Sequence, residues 1–279
     1  MRIGSLALTD FDAIFRAFTR AFADYEMQLS EEQLRRMLRR RGFAPELSFA
    51  AFDGDEIVSF TLNGIGRYGD VLTAYDTGTG TLPNARGRGL ATEIFEHSIP
   101  FLRQAGVRQY LLEVLQHNER AVSVYRRLGF EVTREFNYSI RPGAEVVVGD
   151  GTWTVEPIGI EQIEPAFRDF RPSWQNSVEA IVRAADDFIF RGVFVDGSLV
   201  GYCVFEPAAG DVTQLAVAPA FRRRGIATSL LGHVLAENRS GVVRVVNTDV
   251  SCASMNGFLA ARGLGVTGKQ FEMVKMILP

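Results

Sequence analysis

Pro83-Asn84-Ala85-Arg86-Gly87-Arg88-Gly89-Leu90-Ala91-Thr92 and Pro219-Ala220-Phe221-Arg222-Arg223-Arg224-Gly225-Ile226-Ala227-Thr228 are one loop written twice. Each copy follows an apolar, β-prone run and opens a helical pattern. A loop of this kind turns consecutive backbone N–H groups, together with a helix N-terminus, toward one point, and such a cluster of donors suits a pyrophosphate. Gly89 and Gly225 let a ligand approach the main chain closely because they carry no Cβ. Ala91 and Ala227 keep the first helical turn small. Arg86 and Arg222, with Arg88 and Arg224, place positive charge at the mouth. Two copies with the same flanks imply a duplicated fold built around a phosphate-bearing ligand, whereas a single copy could be merely a basic turn.

Working outward, the order of elements repeats. The first half reads as a strand at 3–8 and a helix capped by Thr9, with Phe11, Ile14, Phe15, Phe18 and Phe22 on one face. Ser30 and Gln33 form a capping box for a helix over 31–40. Strands at 49–52 and 57–62 flank the turn Asp53-Gly54-Asp55, and a strand over 71–82 feeds the first loop. A helix then runs from 89 to 104 with Pro100 inside it, followed by a strand at 109–115, a short helix from Asn118 to Leu128 and a strand at 131–140. The second half matches this with a strand at 153–157, helices at 161–170 and 176–185, the hairpin turn Asp196-Gly197, a strand at 212–217, a helix at 227–236, a strand at 242–248 and a helix at 255–261. Turn signals fill 141–152, a junction with room for a strand of its own. The expectation is an α/β chain of two tandem domains, 1–140 and 153–279, each a mixed, mostly antiparallel sheet flanked by helices.

Composition restricts the partners. The 279 residues suffice for two cores. A net charge of −3 gives no reason to expect nucleic acid, so the arginines act locally. No run approaches the roughly 18 apolar residues of a membrane span, and the first residues lack the pattern of a signal peptide. Cys203 and Cys252 have no metal-ligand spacing, and no metal is expected. Reduced core thiols in a cytoplasmic protein are the natural reading.

Both halves resemble the GNAT superfamily of acyl-CoA-dependent N-acyltransferases. The motif of that family is matched by Thr81-Leu82-Pro83, Arg86 and Gly89-Leu90-Ala91, and at every position by Val217-Ala218-Pro219, Arg222 and Gly225-Ile226-Ala227. Asn118, Ala121, Tyr125, Gly129 and Phe130 match its next motif. The resemblance implies that acetyl-CoA is the donor and that its pyrophosphate sits on Arg86-Gly87-Arg88-Gly89-Leu90-Ala91-Thr92 and on Arg222, Arg224, Gly225, Ile226, Ala227 and Thr228. It also implies that Thr81, Leu82, Val217 and Asn118 line the pantetheine path between two splayed strands. In the second half Cys252, Leu259 and Gly263-Leu264 replace Asn118, Tyr125 and Gly129-Phe130, so the catalytic domain is expected to be the first.

Acyl transfer to an amine needs a base for the amine, donors for the carbonyl oxygen and an acid for the departing thiolate. The resemblance gives Tyr125 the last role. Glu113 interrupts an apolar strand beside the splay and is the candidate water-mediated base, although strand alternation equally allows it to face outward. Asp76, with Asp24, Tyr25 and Glu26, could receive a cationic amine. His97 and His233 sit at matching helical positions, and His117 lies next to Asn118. The expected function is acetyl transfer to a primary amine of a small molecule or peptide by a monomer whose second domain replaces a second subunit. A non-catalytic acyl-CoA-binding or sensing module, or catalysis in the second domain, are the alternatives.

Overall fold

A computed structural model describes residues 1–24, 28–149 and 151–278. The chain divides into two compact units, Met1–Thr133 with Glu272–Pro279, and Arg134–Phe271. Each unit contains one copy of the glycine loop.

In the first unit the strands are β1 (Arg2–Ser5), β2 (Phe49–Asp53), β3 (Glu56–Tyr68), β4 (Val71–Thr81) and β5 (Gln109–Leu115), neighbours in that order. All pairings are antiparallel except β4 with β5, which is parallel and runs only from Thr73/Gln109 to Tyr75/Leu111. Beyond Tyr75 the two strands part. A bulge between Leu62 and Asn63 of β3 leaves Thr77 as the extra residue on β4, which re-aims its neighbours at the start of that opening. The helices are α1 (Phe11–Ala21), α2 (Glu31–Arg41), α3 (Leu90–Gln104) and α4 (Glu119–Arg127). Helix α2 starts on the capping box expected from Ser30 and Gln33. Helix α1 is capped by Asp10 rather than Thr9: the Asp10 carboxylate accepts from Asp12 N, and Thr9 lies one residue too early to reach that donor. The phenylalanine stripe of α1 packs against a core built on Ile14, Ala17, Phe49, Phe60, Leu62 and Ile94.

In the second unit the strands are β6 (Glu131–Pro142), β7 (Glu156–Pro157), β8 (Ile189–Val195), β9 (Ser198–Glu206), β10 (Asp211–Val217) and β11 (Val242–Asp249), ordered β6-β11-β10-β9-β8-β7. Strand β10 pairs in parallel with β11 at Asp211/Arg244. Helices α5 (Val178–Arg183), α6 (Ile226–Glu237) and α7 (Ala253–Ala261) complete the unit. Its core gathers Val193, Phe205, Leu230, Leu231, Val243 and Leu259. Both cysteines are buried and free, and burial pushes the Cys203 thiol up to about 12.

Several elements differ from expectation. The helix expected over 161–170 is instead two single 3-10 turns, Ile160–Gln162 and Pro165–Phe167, because Pro165 supplies no N–H to continue a helix through the middle of the apolar pattern. Only Glu156–Pro157 of the strand expected at 153–157 is paired, and α5 spans six residues of the helix expected at 176–185. The end of β6 enters the junction as far as Pro142, and the described residues beyond it hold a 3-10 turn, Gly143–Glu145, and no strand of their own. A last strand, β12 (Gly268–Met276), had not been expected. Thr267 N donates to Tyr138 O in the second unit, and Ile277 N donates to Arg108 O in the first. Among the described residues no helix is long and apolar enough to cross a membrane.

Candidate active site

The two glycine loops have the same backbone. Gly89 and Gly225 cap α3 and α6 in the left-handed region, with φ of 79° and 86°, and neither cap supplies a side chain to the first helical turn. That leaves N-terminal N–H groups of each helix without a side-chain acceptor from the cap, the arrangement that holds an anion. Two residues earlier the first loop has Gly87 at φ 80° and the second has Arg223 at φ 63°. The second copy therefore keeps the turn with a residue that is strained in it. A Cβ built on Gly87 or Gly89 would meet nothing within 4 Å, so among the described residues the first loop lies open.

Arg86 does not point out of the loop. Its Nε donates to Thr81 O at 3.2 Å and its Nη2 to Ala21 O at 2.9 Å, and Nη1 pairs with Asp24 at 2.9 Å. Arg222 does the same in the second unit, with Val217 O at 3.0 Å, Phe167 O at 3.2 Å and Asp169 at 2.6 Å. These arginines tie each loop to the end of its preceding strand and to the segment packed beneath it. Arg88 and Arg224 are exposed. Leu82 is buried and Thr81 shares a hydrogen bond with Ser59 at 2.8 Å, with both residues at the end of β4.

The parting of β4 and β5 brings Asp76 and Tyr125 together. Tyr125 projects from α4, its ring edge-on to Phe95 and Phe130, and its hydroxyl donates to Asp76 Oδ2 at 3.2 Å. Thr79 Oγ1 donates to the same oxygen at 2.8 Å, and Gly78 N to Oδ1 at 2.9 Å. Burial pushes the Asp76 carboxyl up to about 6, although these three donors and the Arg41 guanidinium pull the other way. Desolvation wins because the residue is 8% exposed.

Glu113 extends the cluster. Its carboxylate hydrogen-bonds the buried Tyr75 side chain, and burial together with that neighbouring charge raises the Tyr75 phenol well above its ordinary value. The Glu113 side chain is half-buried, between the buried Leu112 and Val114. Arg41 Nη1 donates to Thr77 O at 2.9 Å and the guanidinium carbon lies 5.8 Å from the Tyr75 ring centre, so that its charge acts on Asp76. Asn118 caps α4 by accepting from Ala121 N at 3.2 Å. His117 is exposed, His97 packs between Phe49 and Phe101, and His233 sits between Arg191 and Glu237. Tyr25 and Glu26 lie outside the described residues. Sequence reasoning gave Asp76 a minor part; Asp76-Thr77-Gly78 within a β-prone run was the one available sign of an irregular strand with a carboxylate in it.

The second unit has the same opening without the same chemistry. A cavity of about 50 Å³ lies between β10 and β11 and is lined by Val212, Gln214, Asn247, Thr248 and Leu259 among others. Val212 and Leu259 occupy the places of Asp76 and Tyr125, so neither a carboxylate nor a phenol faces this opening from those positions. Asn247 is buried with φ 64°, at a register shift in β11, and its Nδ2 donates to Ser173 Oγ at 3.0 Å.

The architecture and the motifs agree with the comparisons. The model of the acetyltransferase (GNAT) family matches residues 11–130 and again 158–261. A mycothiol acetyltransferase of Geodermatophilus obscurus is 35% identical over 129 residues, 44% of this chain and 41% of that protein. N-alpha-acetyltransferase 30 of Schizosaccharomyces pombe is 33% identical over 88 residues, 31% of this chain and 58% of that protein. The chain thus spans less than two thirds of the curated relatives it matches. Among solved structures, a tandem GNAT protein from the clavulanic acid biosynthesis pathway aligns with TM-score 0.73 at 16% identity, over 100% of this chain and 99% of that one. A GCN5-related N-acetyltransferase from Sphaerobacter thermophilus aligns with TM-score 0.71 at 17% identity, over 100% and 96%. With two family matches that each contain one glycine loop and one strand opening, the chain belongs to the GNAT acetyltransferase family and carries two GNAT domains.

Proposed function

We propose that this chain transfers an acetyl group from acetyl-CoA to a primary amine, with the reaction carried by the first unit. The observation that supports this reading is the meeting of Tyr125 and Asp76 at the point where β4 and β5 part. The open Gly87–Gly89 turn fits the donor, since a Cβ there would fill free space that a diphosphate can use. Backbone N–H groups from Gly87 to Thr92 would hold the pyrophosphate, and Thr81, Leu82 and Asn118 would border the pantetheine arm. Bound there, acetyl-CoA supplies the activated acyl group.

Asp76 is the base this reading favours over Glu113. A carboxyl at about 6 is ionised at neutral pH yet basic enough to take a proton from a nearby ammonium. Its charge, with that of Glu113, also favours a cationic acceptor at this end of the opening. Tyr125 holds the proton that a departing thiolate needs. Its hydroxyl donates to Asp76 in the free protein, and an acceptor ammonium that takes over the carboxylate leaves the hydroxyl free to turn. Glu113 anchors Tyr75, and the Arg41 guanidinium favours the ionised form of Asp76.

The acceptor class follows from charge rather than from any relative: an amine that is cationic in solution, on a small molecule or a peptide. The test is Tyr125→Phe. This substitution should lower kcat about 100-fold while the Kd for acetyl-CoA stays within a factor of about two. Unchanged kcat at saturating donor would remove Tyr125 from the mechanism.

A further inference from the structure

In the second unit the segment that follows β6 runs along the first turn of α6 and touches the glycine loop at the Arg224 carbonyl. After β6 the chain makes a turn held by Gly143 N donating to Gly241 O at 2.8 Å, and Val146 enters the core of the unit. Val147 N donates to Arg262 O, at the end of α7, at 2.9 Å. The Arg262 side chain reaches across to Thr228 Oγ1 at 2.9 Å, in the first turn of α6. Past it, Gly151 lies so close to Ser229 that a Cβ would come within 2.7 Å of Oγ. Trp153 finishes the crossing: its backbone N donates to Ser229 Oγ at 3.2 Å and its indole Nε1 to Arg224 O, in the glycine loop itself, at 2.7 Å.

Burial in the two units records the difference. Thr228 and Ser229, in the first turn of α6, are buried, whereas Thr92 is half-buried and Glu93 exposed at the matching places on α3. All three loop glycines are exposed, but a Cβ on Gly225 would reach Trp153 Nε1 at 4.0 Å, whereas one on Gly87 or Gly89 would meet nothing within 4 Å. The contacts lie on the first turn of α6 and on the Arg224 carbonyl, beside the N–H groups that a diphosphate would use.

We propose that residues 146–149 and 151–153 form a built-in strap over the donor seat of the second unit, so that one chain holds one acyl-CoA, on the first unit. This rests on the reading of the glycine loops as acyl-CoA seats. The second GNAT domain then keeps its fold and its internal cavity but takes no donor through its loop.

The experiment is titration calorimetry of acetyl-CoA into the full chain, alongside hydrogen exchange of the peptides covering 146–153. One binding event per chain is expected, lost in Gly89→Glu and kept within about twofold in Gly225→Glu. The amides of Val147 and Trp153 should exchange slowly, with no acceleration on adding acetyl-CoA. Replacing residues 147–153 with a Gly-Ser stretch of equal length should leave the first event unchanged and add a second. Two events in the unaltered chain, loss of the event only in Gly225→Glu, or no second event once the strap is replaced would each overturn the proposal. Absence of any binding would instead sink the acyl-CoA reading. Exchange would then judge the strap alone, with slow amides supporting a seated strap and fast ones refuting it.

Discussion

Asp76→Asn isolates the cost of keeping a carboxylate inside the first unit. The folded carboxyl sits at about 6 against an ordinary 3.8, with burial as the leading cause. A group whose folded pKa is raised contributes stability that is fully present below the unfolded value and is lost as pH rises through the folded one. The window is therefore about pH 4 to about pH 6. A shift of about two units corresponds to about 3 kcal/mol lost by neutral pH, of which about 2 kcal/mol falls between about pH 4.5 and about pH 7.5. Asn stays neutral throughout. The difference in stability between variant and wild type should thus move by about 2 kcal/mol in favour of the variant across that range. Its absolute offset depends on how well the amide replaces an acceptor for Thr79 and Tyr125. Two units need not unfold together, so the suitable assay is hydrogen exchange of β4 peptides at several pH values rather than one global transition. A difference that stays flat within about 0.5 kcal/mol would mean that Asp76 is not desolvated as described, and with it would go the argument for its basicity.

Two further outcomes follow from the loops. Arg86→Ala removes a charged donor from Thr81 O and Ala21 O and should destabilise the first unit by about 2 kcal/mol, read as faster exchange at the end of α1; exchange unchanged there would show that the clamp does not hold α1. Arg223→Gly relieves a left-handed residue that Gly87 replaces in the other copy, and a net gain of about 0.5 kcal/mol in the second unit is expected after the greater freedom of unfolded glycine is discounted. Gly87→Ala should have the opposite sign in the first unit, and hydrogen exchange of the α6 and α3 peptides, slower in the one variant and faster in the other, checks both.

Local chemistry made part of the molecule readable. A helix start written as Ser30 and Gln33 depends on atoms three residues apart, and the glycine loops announce themselves by composition and by repetition. Tyr125 was singled out through the resemblance to the GNAT motif that Asn118 and Gly129-Phe130 frame, not from its own surroundings. The position of Asp76 could not be read the same way, because a bulge that leaves Thr77 unmatched appears only when β3 is laid beside β4. The 161–170 pattern had helical spacing, but Pro165 decided its conformation. The stretch over 141–152 carried turn signals, and a 3-10 turn lies in it at Gly143–Glu145, yet nothing in its composition says that its neighbour Trp153 reaches the carbonyl of Arg224. Strand β12 was missed because its alternation in Lys269-Gln270-Phe271-Glu272-Met273 is weak and polar.

That last strand bears on how the chain is made. Residues 272–278 belong to the first unit, with Ile277 bonded back to Arg108 at the start of β5. A ribosome releases them only after every residue of the second unit. Through most of synthesis the β5 edge of the first sheet therefore waits with unpaired N–H and C=O groups, the kind of edge to which another chain can add. The first domain in sequence is the last to be completed, and a gene fragment cut at the junction would carry the glycine loop, Asp76 and Tyr125 on a sheet that lacks its closing strand.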